Sequence, residues 1–362
     1  MPLDLVINPG STSTKIGLFE NGALVRAKTI AHPAEDLASF DSIAAQKGYR
    51  AAAVTKLLEE EGCRPEDIGG VIAIGGLLYP CDSGVYLVDE AMCADLECGR
   101  YNEHASNLGA LLAWDFAQKT GLPAYIADPV TTDEMGEVAR LSGMPELQRS
   151  GRCHALNQKR MARRAACELG LEYERARLVV AHLGGGISVT AHCDGRMTDT
   201  SNPRGEGPFC IDRTGGLNSY QLVQLCYSGK YDKRQMLKKI SGEGGVVAYL
   251  GTRDFREVER RADAGDAQAK AVFDALAYQV AKEIAAMCVP LGGRPEAIVL
   301  TGGMAHSEAL VKSISTQAGW LGRIVVYPGE EELEALAEYL REVRAGTCAP
   351  KRYCPKGEND DV

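Results

Sequence analysis

No run of apolar residues in this chain of 362 approaches the roughly 20 needed to cross a bilayer, so a membrane-spanning protein is not expected. Asp4 interrupts the first apolar run and no basic segment precedes it, so a signal peptide is not expected either. The 12 cysteines include no Cys-x-x-Cys pair. That argues against a disulfide framework and for free thiols in a reducing, cytoplasmic compartment. Cys93 and Cys98 lie near His104, but their spacing matches no familiar zinc site. A lysine-arginine stripe is also missing. With 40 basic residues against 49 acidic ones, the net charge of -9 disfavours nucleic acid as the main partner. The local exception, Lys159, Arg160, Arg163 and Arg164, falls at helical spacing beside apolar positions and reads as a solvated helix face. In bulk the chain is that of a soluble globular protein, 45% hydrophobic and 25% charged. Its length suggests two domains.

What the chain does have is one construction written twice. Leu5-Val6-Ile7-Asn8-Pro9-Gly10-Ser11-Thr12-Ser13-Thr14-Lys15-Ile16-Gly17-Leu18-Phe19 runs into Asn21-Gly22. The order is strand, glycine-hydroxyl turn, strand and two-residue hairpin. Leu178-Val179-Val180-Ala181-His182-Leu183-Gly184-Gly185-Gly186-Ile187-Ser188-Val189-Thr190, running into Asp194-Gly195, repeats it. Where side chains are absent, backbone N–H groups can approach an anion closely, and the hydroxyls with Lys15 add donors and a cation. Two such turns suggest two backbone cradles for one polyanion, nucleotide phosphates above all. The bland alternative is a pair of ordinary glycine-rich hairpins.

Between and after these copies, helices are expected over Tyr49–Glu61, Asn102–Thr120, 155–169, 269–289 and Glu330–Arg344, most of them closed by a glycine. Short buried strands are expected at 68–76, 124–129 and 297–303, with Asp128 where the second of these ends. The alternation implies an α/β fold with mixed sheets flanked by helices, in two similar lobes. The lobes are placed at 1–152 and 153–329, with the helix 330–346 packing back on the first. Residues 347–362 lack an apolar period and read as a loose tail.

Asn8 to Lys15, Glu103-His104-Ala105-Ser106-Asn107-Leu108-Gly109, His154-Ala155-Leu156-Asn157, Ala181 to Val189 and Gly205-Glu206-Gly207-Pro208-Phe209 together resemble butyrate kinase. The blocks appear in family order and span nearly the whole chain to about residue 345. The resemblance implies the fold group of acetate kinases, sugar kinases, heat-shock chaperone ATPases and actin, a ribonuclease H-like duplication with nucleotide in a cleft. It implies direct phosphoryl transfer between ATP and a short-chain carboxylate, butyrate or a branched relative. The resemblance further implies an acyl phosphate as product, a reverse reaction that makes ATP, assistance by Mg2+, and a dimer or larger oligomer. Such chemistry suits these residue types. A carboxylate with a pKa of about 4 to 5 needs no general base, but an anion attacking ATP needs charge cancelled around the transferring group.

Carried over by resemblance, Asn8, Ser11, Ser13 and Lys15 lie near the phosphates, with His182, Gly184, Gly185, Gly186, Gly302 and Gly303 also on the nucleotide. Asp128 is the metal-site carboxylate, His154 and Arg213 stabilise the transferring phosphoryl, and His104 lies near the acyl group. Bland alternatives stand beside these. Asp128 before Pro129 could cap a turn, His154 or His182 could be satisfied core histidines, and Arg213 could be a surface ion pair. Three positions depart from the pattern. Ile74 stands where butyrate kinases carry arginine, Gly185 where acetate kinases have asparagine, and Ala305 where they have a metal-site glutamate. Ile74 motivates an alternative, a nucleotide-binding protein of this fold with weakened catalysis. A second rival is an actin-like or chaperone-like ATPase module.

Overall fold

The structure, a computed structural model, describes residues 2–355. It divides into two compact units, the first made of residues up to Asp133 with the segment from Glu331, the second of Glu134–Glu330.

In the first unit, Leu5, Val6 and Ile7 are almost fully buried, and a run apolar on both faces suits a central strand. This is β1 (Leu3–Pro9), which pairs antiparallel with β2 (Ser13–Glu20). Asn21 and Gly22, both left-handed with φ of 53° and 80°, turn the chain into β3 (Ala23–Ala31) as the expected two-residue hairpin. β4 (Ile68–Ile74) lies parallel to β1, β5 (Val85–Leu87) follows, and β6 (Ala124–Ala127) lies parallel to β4. The helices Lys47–Glu60 and Asn107–Thr120 join β1 and β4 in one apolar core. The helix Glu332–Arg344 packs on β1, β4 and β6.

The second unit repeats the plan. β7 (Leu178–Leu183) and β8 (Ile187–Cys193) form an antiparallel pair, and Asp194 and Gly195, with φ of 52° and 70°, turn into β9 (Arg196–Thr200). β10 (Ala297–Gly302) lies parallel to β7, and β11 (Arg323–Pro328) lies parallel to β10. The strand order β9-β8-β7-β10-β11 reproduces β3-β2-β1-β4-β6 of the first unit. Alternate residues of β7 serve two cores. Val179 and Ala181 meet Leu276 and Val280 of the helix Ala267–Ala286, while Leu178 and Val180 meet Met161 and Ala165 of the helix Ala155–Glu168. Among the described residues no helix is long and apolar enough to cross a membrane.

Several expectations change in contact with tertiary structure. The helix expected from Asn102 begins at Asn107, because Asn102 is left-handed with φ of 103°. Lys159, expected on a solvated face, is 2% exposed, and its ammonium meets Glu134 at 2.7 Å and the Gly195 carbonyl at 2.9 Å. That pair helps to carry the segment from Glu134 into the second unit, so the division falls earlier than the expected 152/153. Arg149 does the same by bonding Glu206 and the carbonyl of Thr200.

The expected loose tail is structured over its first part. Lys351–Arg352 pairs parallel with β5, and the side chain of Tyr353 is buried. The Tyr353 hydroxyl donates to Asp95 Oδ2 at 2.8 Å and accepts from the Tyr79 N–H at 3.2 Å. Residues 356–362 of that tail lie outside the described residues. Tyr353→Phe should lower the unfolding free energy by about 1–3 kcal/mol, since the buried Asp95 oxygen and the Tyr79 N–H both lose a partner. A urea titration with unchanged midpoint would show that this segment adds nothing to the unit.

Candidate active site

In the first unit the turn between β1 and β2 is a backbone structure before it is a set of side chains. The Gly10 N–H closes it onto the Ser13 carbonyl at 2.7 Å. Ser11, Thr12 and Lys15 are exposed, and Ser13 is half-buried. Lys15 pairs with Asn8 across the strands, and its ammonium has no partner among the described residues. Asn8 is 8% exposed and its amide donates to Glu332 Oε2 at 2.6 Å. Four of the expected phosphate-binding residues thus share one turn and its flanking strands.

Asp128, at the end of β6, is 2% exposed and left-handed, with φ of 38°. Its Oδ1 accepts from Ser83 Oγ at 2.7 Å and the Gly84 N–H at 2.8 Å, and its Oδ2 from the Tyr339 hydroxyl at 2.5 Å. A non-glycine residue held in this conformation by three donors is a fixed carboxylate, which goes beyond the turn cap the sequence allowed. His104 lies in an exposed loop, with Nδ1 against Ser106 Oγ at 2.8 Å. Ile74 is half-buried, and its carbonyl and Cγ2 lie against Gly109 of the helix Asn107–Thr120. The turn that follows is clamped from both sides. A Cβ on Gly75 would meet Pro129 and one on Gly76 would meet Asn107, whose Oδ1 also accepts the Leu77 N–H at 2.8 Å.

In the second unit the Gly184–Gly186 loop gathers the catalytic candidates. A Cβ on Gly186 would sit 2.9 Å from Arg213 Nη1 and 3.4 Å from His154 Cε1, so a side chain here would push against the Arg213 guanidinium. His154 precedes the helix Ala155–Glu168, and its Nδ1 meets Ser188 Oγ at 2.9 Å. Its ring stacks on that of His182, with centroids 3.9 Å apart.

His182 itself is 1% exposed, which places it beneath His154 and Gly184 rather than on a ligand surface. Burial pushes its pKa down to about 4, so the ring is neutral. Its Nδ1 lies 2.8 Å from the Asn157 amide and its Nε2 lies 3.4 Å from Glu330. The Asn157 nitrogen has no partner among the described residues. Turning that amide over satisfies more groups: its N–H donates to Nδ1, and Nε2–H then faces Glu330. His182 is therefore a support for His154.

Gly184, Gly185, Gly186, Arg213 and Gly303 all line a cavity of about 840 Å³, which falls in the range of small-molecule sites. Gly302 does not line it. With φ of 90° and the Leu183 carbonyl against the place a Cβ would occupy, Gly302 sets the turn that brings Gly303 there.

Sequence reasoning missed Asp212, Arg253, Arg256, Glu259, His306 and Ser307, which also line it. Ser307 was legible as the cap of the helix Glu308–Ala318, where it accepts the Leu310 N–H at 2.9 Å. Also missed were Arg152 and Arg204. Partial burial, followed by the charges of Arg152 and Arg213, holds the Arg204 guanidinium below its ordinary value, so these cations lie near one another. The loops that carry them are tied by Asn202 Nδ2 to the Ser150 carbonyl at 3.5 Å.

Residues 146–323 match the profile described as the Acetokinase family. The chain is 46% identical, over 96% of its length and 99% of the relative's, to a protein named probable butyrate kinase 2 from Caldanaerobacter subterraneus subsp. tengcongensis.

The chain belongs to the acetokinase family.

Its fold matches the crystal structure of Porphyromonas gingivalis acetate kinase with a TM-score of 0.77, at 20% identity over 95% of this chain and 100% of that one. A propionate kinase from Francisella tularensis gives 0.74 at 20% identity, covering 93% and 99%. The duplicated strand order is thus that of the acetate kinase fold, as expected from the sequence.

Acid should expose the buried histidine. His182 has a folded value of about 4 against 6.5 for an ordinary imidazole, so the unfolded chain takes the proton first. Its contribution is complete above pH 6.5 and is lost between there and about 4, at up to about 1.4 kcal/mol per pH unit. Urea unfolding across that window should show a shallower slope for His182→Gln than for the parent protein. Identical slopes would mean that His182 titrates normally in the fold.

Proposed function

We propose that this chain transfers the γ-phosphoryl group of ATP to a short-chain carboxylate of the butyrate type, giving an acyl phosphate and ADP, and runs the reverse reaction. The observation that carries the reading is the Gly186 backbone, onto which Arg213 and His154 both close, with Gly186 and Arg213 themselves lining the cavity. The carboxylate oxygen attacks the γ-phosphorus while the bond to the β,γ-bridging oxygen breaks. The attacking group is already an anion, so no residue is needed as base. Charge cancellation is the task instead. Arg213 and His154 serve it at the transferring phosphoryl, with Arg152 and Arg204 adding positive charge nearby. Ser11, Ser13 and Lys15 supply donors for phosphate oxygens, and Asn8 positions Lys15 across the strands.

Mg2+ would supply charge neutralisation on the phosphates, and such ions keep most of their shell as phosphates and water. The residues fit that mode, since Asp128 is a fixed carboxylate that already accepts three bonds. We infer that Asp128 meets the ion's water shell with its remaining lone pair. His104 is assigned to the acyl end of the site. Two further readings accompany this one. The 12 free thiols fit a reducing cytoplasm. Exposed Leu217, Tyr220, Val223 and Tyr227 fit self-association as a dimer or larger oligomer.

With ATP, Mg2+, hydroxylamine and a panel of C2 to C6 acids, hydroxamate should form, most with butyrate or a branched relative. No hydroxamate with any acid would overturn the reading. Arg213→Ala should slow turnover by about 100-fold or more, and Lys15→Ala by about tenfold or more, in folded protein. Losses of only a few fold in both would remove those assignments. Ile74→Arg should raise turnover if the turn after β4 still faces acyl phosphate. An unchanged rate with intact fold would show that no cation is missed there.

A further inference from the structure

Arg50 is the largest fully buried side chain in the protein, 1% exposed, and no carboxylate bonds it among the described residues. A buried cation without a counter-ion is costly, and burial pushes this guanidinium below its ordinary value. Four of its six bonds run to the turn between β1 and β2 and the first residues of β2. Nη1 donates to the Gly10 carbonyl at 2.8 Å, the Ser13 carbonyl at 3.1 Å and Thr14 Oγ1 at 3.3 Å. Nη2 donates to the Ser11 carbonyl at 3.1 Å, and the neutral Gln46 takes the rest at 2.8 and 3.1 Å. The Thr12 carbonyl is bonded by the His32 N–H at 2.8 Å. Every carbonyl from Gly10 to Ser13 is therefore engaged by an inward donor.

The consequence follows from the trans peptide. A carbonyl and the N–H of the next residue point in opposite directions. Drawing the Gly10 and Ser11 carbonyls toward Arg50 turns the Ser11 and Thr12 N–H groups the other way, and neither has a partner among the described residues.

We propose that Arg50 is the positioning residue of this phosphate loop: it aims the Ser11 and Thr12 N–H groups at bound phosphate, and the phosphate is the counter-ion its buried charge lacks. The proposal rests on the phosphotransfer reading above. Arg50 touches no ligand and acts through the loop.

The test compares ATP with adenosine, which carries no phosphate, by calorimetry on the full chain and on Arg50→Gln and Arg50→Lys. Arg50→Gln should weaken ATP by about tenfold or more while leaving adenosine within about twofold, and Arg50→Lys, which keeps the charge, should recover part of the loss. In turnover the Gln variant should show a raised KM for ATP. Unchanged ATP affinity in a folded Gln variant, or equal losses for ATP and adenosine, would overturn the proposal. If the Gln variant does not fold, Arg50→Lys decides alone. A loss of a few fold for ATP with adenosine unchanged supports the proposal, and equal affinities overturn it. The binding comparison needs no turnover. A wild-type chain that makes no hydroxamate therefore sinks the kinase reading, whereas an active wild type with indifferent Arg50 variants sinks only this one.

Discussion

A phosphate chain presents more negative charge than exposed lysines can hold in place, and the phosphotransfer role proposed for this protein sets the constraint of meeting it with backbone N–H groups fixed in advance. On that reading each unit answers in the turn between its first two strands. In the first, the carbonyls are drawn into the protein by Arg50 and by the backbone of His32, which leaves the amides of Ser11 and Thr12 without partners among the described residues. In the second, the side chains are removed altogether over Gly184–Gly186, and Arg213 and His154 occupy the space. One loop is built by a buried cation and the other by absence of Cβ atoms.

Rigidity behind each loop follows from packing. β1 and β7 are interior strands of their sheets, buried on both faces, which anchors the turns they feed. The residues proposed for the chemistry are held the same way. His154 lies on His182, a neutral ring kept in place by Asn157 and Glu330, and Asp128 is pinned by Ser83, Gly84 and Tyr339. Fixed dipoles and charges need no reorganisation when charge develops during transfer, which is where such sites gain most.

Much of this was legible in the residues. Both hairpins were readable from Asn21-Gly22 and Asp194-Gly195, because only a few residue types tolerate two left-handed positions in succession. Other elements were misplaced where a partner distant in sequence decides. Lys159 shares its helix face with arginines and looks solvated, yet Glu134, 25 positions away, takes its charge inside. Tyr353 sits in a segment without apolar period and is ordered by Asp95 and Tyr79.

Taken alone, the residue order determined the duplication, the glycine-hydroxyl turns and the family, since these are local patterns set by backbone sterics and periodicity. Tertiary structure decided which groups serve those turns. Nothing in the neighbourhood of Arg50 marks it as the donor for carbonyls some 40 residues earlier, and nothing around His182 separates a ligand-facing ring from one buried beneath another. Such roles depend on which direction a side chain is turned and what encloses it, and packing sets both.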